Sequence, residues 1–170
     1  MNGESRQRGR PSGRSESEFE RLDRNLTELL QELRVALPGV QVLFAFLLTV
    51  PFSQGFSKLH PWQEKVYFAV LISTAISAAL LISPSAQHRL TFRLQDKQYL
   101  VFTANRLAIV GLAFLAASMT GVVLLISSVL FGTPVQVIAT AAAGVMFAVL
   151  WYAVPLRRRA IAESDPRAGD

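Results

Sequence analysis

The side chains of this 170-residue chain that can move a proton or hold an ion stand at the edges of long uncharged stretches. Glu32 and Arg34 precede the stretch 35–57, Glu64 precedes 66–87, His88 and Arg89 follow it, and Asn105 and Arg106 precede 107–156. A carboxylate, imidazole or amine within a span is the usual mark of proton or cation coupling, kept there against an insertion cost of about 2.5–3.5 kcal/mol. None lies inside these stretches. Taken singly, an edge residue is expected to snorkel or to form a rim ion pair worth about 0–1 kcal/mol. Taken together they form a candidate site. If the first three apolar stretches pack side by side, Glu32, Arg34, His88, Arg89, Arg93, Asn105 and Arg106 collect at one rim, able to hold an anion, a lipid headgroup or a helix. Gln41 joins them because it follows Pro38-Gly39, where a broken helix would leave carbonyls to be bonded.

Catalysis has less support. The chain has no cysteine, which removes thiolate ligands and nucleophiles, and it carries no HExxH, GxSxG or phosphate-binding loop. Its two histidines, His60 and His88, are separated by a full uncharged stretch. No catalytic residue, metal or cofactor is expected, and the chain does not read as an enzyme.

What must position the rim residues is a set of lipid-spanning helices. The fifty residues 107–156 contain no Asp, Glu, Lys, Arg or His, and their one turn signal is Phe131-Gly132-Thr133-Pro134. A crossing needs roughly 20 mainly apolar residues, so this stretch is two crossings joined by a tight hairpin. The stretches 35–57 and 66–87 add two more, the second ending at Ser83-Pro84, where proline opposes continuation of a helix. Continuous runs rich in Leu and Ala exclude the short alternating strands of a barrel. The expected fold is an all-α membrane protein, a four-helix transmembrane bundle over 38–156 with spans at about 38–56, 65–84, 106–130 and 134–155.

Orientation follows from charge. Of the 17 Lys and Arg, all but Lys58 and Lys65 lie in the N-terminal segment, the loop 88–106 or the C-terminal segment. By the positive-inside rule both termini face the cytoplasm of a cell whose inner membrane the chain crosses, and the hairpin faces out. Trp62 and Tyr67 at one boundary, with Trp151 and Tyr152 at the other, read as interfacial anchors. No basic stripe interleaved with aromatics argues for nucleic acid, and the charged first 34 residues do not read as a secretory signal.

Residues 1–15, rich in Gly, Ser, Pro and Arg, are expected to form a disordered basic tail, and 157–170 a cytoplasmic tail. Between them and the first span, over 16–37, Phe19, Leu22, Leu26, Leu29 and Leu33 recur at spacings of three and four, with Glu18, Glu20, Asp23, Arg24, Glu28 and Glu32 off the stripe. This predicts an amphipathic cytoplasmic helix that ends in a kink or break at Pro38-Gly39. Its mixed, slightly acidic polar face favours docking on the protein itself or on a protein partner over docking on lipid, with a homo-oligomer through 17–37 also open.

Small residues recur every four positions inside the apolar stretches: Ala113, Ala117 and Gly121 in the third, Thr140, Gly144 and Ala148 in the fourth, with Ser73 and Ser77 in the second. Such faces let backbones approach closely, and they predict that spans two, three and four pack on one another before any oligomer forms. The Ser and Thr residues at depth are expected to bond back to carbonyls one turn earlier.

The run Leu26-Thr27-Glu28-Leu29-Leu30-Gln31-Glu32-Leu33-Arg34-Val35-Ala36 leads into Gly39-Val40-Gln41-Val42-Leu43-Phe44-Ala45-Phe46-Leu47-Leu48-Thr49-Val50-Pro51-Phe52. With His88-Arg89-Leu90-Thr91-Phe92-Arg93 and Asn105-Arg106, it resembles a family of small bacterial four-helix membrane proteins of unknown function, over about residues 19–159. The label sodium:proton antiporter is often attached automatically to such proteins. The reading that the residues favour is a membrane scaffold or accessory module that binds a partner or anionic lipid through its cytoplasmic face. The alternative is a small oligomeric sodium:proton antiporter using Glu32 or Glu64.

Overall fold

The computed structural model describes residues 18–90 and 97–157, and within them the chain is helical with no strand. Helix α1 spans Glu18–Thr49 and is followed by two 3₁₀ turns, Val50–Phe52 and Phe56–Lys58. Helix α2 spans Pro61–Leu90, α3 spans Lys97–Leu130, and α4 spans Thr133–Ala148 and continues through a π-helical turn at Val149–Ala153 as far as Arg157. Four segments are long and apolar enough to cross a membrane: Arg24–Phe52, Pro61–Gln87, Val101–Leu130 and Thr133–Arg157. The chain is an all-α, multi-pass membrane protein.

The break expected at Pro38-Gly39 is absent, because α1 runs through both residues. The reason lies on the opposite face of the helix. Leu26, Leu33, Val40 and Leu47, seven residues apart, are all buried and form one continuous seam. Burying a leucine or valine contributes about 1.5–3 kcal/mol each, whereas proline in a helix interior costs about 3 kcal/mol, so an unbroken seam outweighs the defect. Pro38 points outward, and a Cβ added at Gly39 would meet nothing within 4 Å. The amphipathic helix and the first span are thus one element, and its leucine stripe docks on its own bundle. Proline likewise fails to end α2, which passes through the fully buried Pro84 and stops at Leu90. Membrane helices tolerate such residues where neighbouring helices enclose the freed backbone groups.

Buried pairs give the topology. Leu33, Val40, Leu81, Ala108 and Leu115 form one cluster near the chain's charged end, and Leu47, Tyr67 and Val70 form a second toward the hairpin. Gly121 faces Val70, Gly144 faces Thr120, and the Tyr152 hydroxyl reaches the Ile109 carbonyl, so the helices run up, down, up, down. Helices α1, α2 and α3 pack mutually, while among the described residues α4 packs against α3 and neither α1 nor α2.

The tightest seam is α2 on α3. A Cβ added at Gly111 would lie 2.9 Å from both Cγ and Cδ2 of Leu81, which has no exposed surface, and one at Gly121 would strike Val70. Across the same seam the hydroxyls of Ser77 and Ser73 donate to the Gly111 and Phe114 carbonyls at 2.8 and 3.1 Å. These two serines bridge helices instead of bonding back, because the glycine brings a neighbouring backbone within reach. Thr74, Ser118, Thr120, Ser127 and Thr140 bond back one turn as expected. The small residues of α3 and α4 line one open groove of about 480 Å³: Gly121 and Gly144 also sit at helix contacts, while Ala113, Ala117 and Ala148 are exposed along it.

Three of the expected interfacial aromatics also reach neighbouring side chains or backbone. Tyr67 is buried and donates to the Leu47 carbonyl at 2.6 Å. Trp151 packs on the first cluster and edge-on against Phe147, with ring centroids 5.1 Å apart, while Tyr152 bonds to α3. Trp62 remains exposed.

Candidate functional site

The end of the molecule that holds the starts of α1 and α3 and the end of α2 extends past the apolar part. Helix α1 has 32 residues, about 48 Å, and α3 has 34, about 51 Å, against a hydrocarbon thickness of about 30 Å. The uncharged portions begin at residues 35 and 107, so both helices project at this one end. They remain packed together there, since Leu26 and Ala104 are both buried.

Between the two projections lies a groove of about 650 Å³ lined by Asn25, Glu28, Leu29 and Glu32 from α1 and by Val101, Phe102 and Asn105 from α3. Helical spacing puts them there. Residues 25, 28, 29 and 32 lie within one face beside the buried stripe of Leu26 and Leu33, and residues 101, 102 and 105 lie one turn apart on α3. The groove offers two carboxylates and two amides over an apolar floor. Arg106 stands at its edge, its guanidinium carbon 4.3 Å from the centroid of the Phe102 ring, a cation–π contact worth about 0.5–1 kcal/mol at an exposed site. Glu28 also pairs with Arg24 at 3.7 Å, both more than half exposed, so the pair contributes at most about 0.5 kcal/mol.

The predicted rim residues are therefore only partly assembled. Glu32 and Asn105 share the groove, and Arg106 adjoins it through Phe102. Arg34 is exposed on α1 outside the groove lining. Gln41 is exposed as well, nine residues or about 13 Å further along α1 than Glu32, and with the helix continuous it has no broken segment to bridge. His88 and Arg89 fall in the last turn of α2, where only the backbone is described, and Arg93 lies outside the described residues, as do the tails 1–15 and 158–170.

Asn25, Glu28 and Phe102 were not foreseen. Asn25 and Glu28 carried a readable signal, being two turns and one turn before Glu32 on the same face; Phe102 depended on how α3 docks. Gln63 was also missed. It is buried, accepts the His60 backbone N–H at 2.8 Å, and donates to the Ser128 hydroxyl at 2.9 Å, tying the start of α2 to α3 in a capping-box arrangement.

Among the described residues every buried side-chain nitrogen and oxygen has a hydrogen-bond partner. Thr74, Ser77, Ser118 and Ser127 are buried, with their hydroxyls donating to backbone carbonyls.

Comparison with known proteins is consistent with the resemblance. No curated protein and no solved structure matches the chain. Residues 15–155, which take in all four spans and the groove, match DUF6328, and the chain thus belongs to this family of unknown function.

Proposed function

We propose that this protein is a non-catalytic scaffold or accessory module of the inner membrane, with both termini cytoplasmic, that binds a protein partner through the projecting ends of α1 and α3. The observation that carries this reading is the acidic groove of Asn25, Glu28, Glu32 and Asn105, built ahead of the uncharged stretches that begin at residues 35 and 107, on two helices whose mutual packing holds it open. Its carboxylates complement a basic or amide-rich segment and repel an anionic headgroup, which favours protein over lipid at this position. Exposed apolar side chains beside it, Val35 at 79% and Phe102 at 58%, supply the desolvation that charge alone does not. Leu26 and Leu33 are held by the bundle, so the partner meets the groove beside them, where Leu29 is only half-buried.

The test is affinity purification from native membranes in mild detergent. A stoichiometric partner is expected with the wild-type chain, with at least a several-fold loss in the double variant Glu28→Gln, Glu32→Gln. An unchanged partner yield from that variant would move the interface elsewhere. The antiporter alternative rests on Glu32 lining a water-accessible groove. Sodium-driven pH change in reconstituted vesicles that vanishes in Glu32→Gln would replace the module reading with it.

A further inference from the structure

At the opposite, hairpin end a second groove of about 400 Å³ opens between α1 and α3, a size ordinary for a small-ligand pocket. Leu43 and Leu47 of α1 and Val122 and Leu125 of α3 form its walls, Tyr67 its floor and Leu59 its roof. Its lining exposes no polar atom. The one hydroxyl that could have entered it, that of Tyr67, is turned onto the Leu47 carbonyl at 2.6 Å. Water held there would find none of the two to four partners it requires, so the groove is a place for hydrocarbon.

Two further observations identify the hydrocarbon. The lip residues Phe46 and Ile126 are exposed and lie within candidate spans, so the groove opens sideways into the bilayer, and it runs about 12 Å inward along α3 from Leu130 to Val122. At its roof, Leu59 is preceded by the exposed Lys58, the only Asp, Glu, Lys or Arg in residues 35–63. An exposed cation thus adjoins in sequence a residue that lines the lateral apolar slot, and its charge complements the anionic headgroup of a lipid whose acyl chain enters there.

We propose that this groove holds one acyl chain of an anionic phospholipid from the leaflet on the hairpin side, with the headgroup phosphate at Lys58. The site is independent of the partner-binding end and rests on different residues.

The protein purified in mild detergent and reconstituted in phosphatidylcholine vesicles doped with phosphatidylglycerol is the system to measure. Native mass spectrometry is expected to find about one phosphatidylglycerol retained per chain. Lys58→Gln is expected to lower retention about fivefold, the equivalent of the roughly 1 kcal/mol that one lysine contributes near an anionic surface. Val122→Trp, which fills the slot, is expected to abolish it, whereas Ala117→Trp, in the separate α3–α4 groove, is expected to leave it unchanged. A second measurement uses only the wild-type chain. Phosphatidylglycerol carrying a photoactivatable diazirine in its acyl chain is expected to label peptides containing Leu43 and Leu125. Labelling spread equally over the outward face of α4, or retention unaltered by both Lys58→Gln and Val122→Trp, overturns the proposal.

Discussion

Tyr67→Phe deletes a single oxygen, yet the structure predicts a measurable loss. The Tyr67 hydroxyl donates to the Leu47 carbonyl at 2.6 Å, with both residues only 5% exposed. In an uninterrupted helix that carbonyl would accept the N–H four residues on, but position 51 is proline and has none. The tyrosine therefore supplies the donor that the end of α1 lacks. Interhelical hydrogen bonds in membranes average about 0.6 kcal/mol and reach about 1.7, and a buried acceptor left without a donor costs about 1–3 kcal/mol. The expected destabilisation lies at about 1–2 kcal/mol. The assay is reversible unfolding in mixed micelles of a mild detergent and sodium dodecyl sulfate, followed by helical circular dichroism. The decisive comparison is a double-mutant cycle with Pro51→Ala, which restores an N–H at position 51. In that background Tyr67→Phe is expected to cost about half as much or less. Equal losses in the two backgrounds would refute the account, because the hydroxyl would then not be serving an orphaned carbonyl.

Other outcomes follow from the same geometry. Gly111→Ala is expected to destabilise by about 1–3 kcal/mol, since the new Cβ would lie 2.9 Å from the fully buried Leu81 side chain, whereas Gly39→Ala, with nothing within 4 Å, is expected to stabilise by up to about 1 kcal/mol in the same unfolding assay. Leu33→Ala, in the buried seam, is expected to cost about 2–4 kcal/mol, and the neighbouring exposed Val35→Ala less than about 0.5 kcal/mol; similar values would mean that α1 is not docked through its leucine stripe. A topology reporter fused before Met1 or after Asp170 is expected to read cytoplasmic and one inserted at Gly132 external, and the reverse pattern would overturn the charge-based orientation.

The helices were legible because each depends on a local run of side chains. A span needs length and the absence of charge, and both are visible residue by residue. The errors cluster where a local rule met a tertiary one. Pro38 and Pro84 were read as boundaries from the missing N–H, a correct statement about one residue, but the seam from Leu26 to Leu47 and the enclosure of Pro84 outweigh it. Position along the chain marks Tyr67, Trp151 and Tyr152 as interfacial but does not state which way a helix face turns, and their contacts with neighbouring helices come from that turn. The rim site was half legible. Glu32 and Asn105 could be named at helix ends, yet which neighbours join them depends on the rotation of α1 against α3, and that rotation brings in Asn25, Glu28 and Phe102 while leaving Arg34 and Gln41 outside.

The sequence by itself determined that this protein lives in lipid as four helices, because burying so many uncharged residues together with their backbone polar groups admits only hydrogen-bonded spans. It determined too that charge is confined to the ends. Tertiary packing set the rest: the first span and the amphipathic segment are one helix, α2 and α3 touch through Gly111 and Gly121, and α4 packs on α3. Those outcomes turn on contacts between residues tens of positions apart, whose distances no local pattern encodes. The two grooves between α1 and α3, one acidic and one wholly apolar, exist for the same reason.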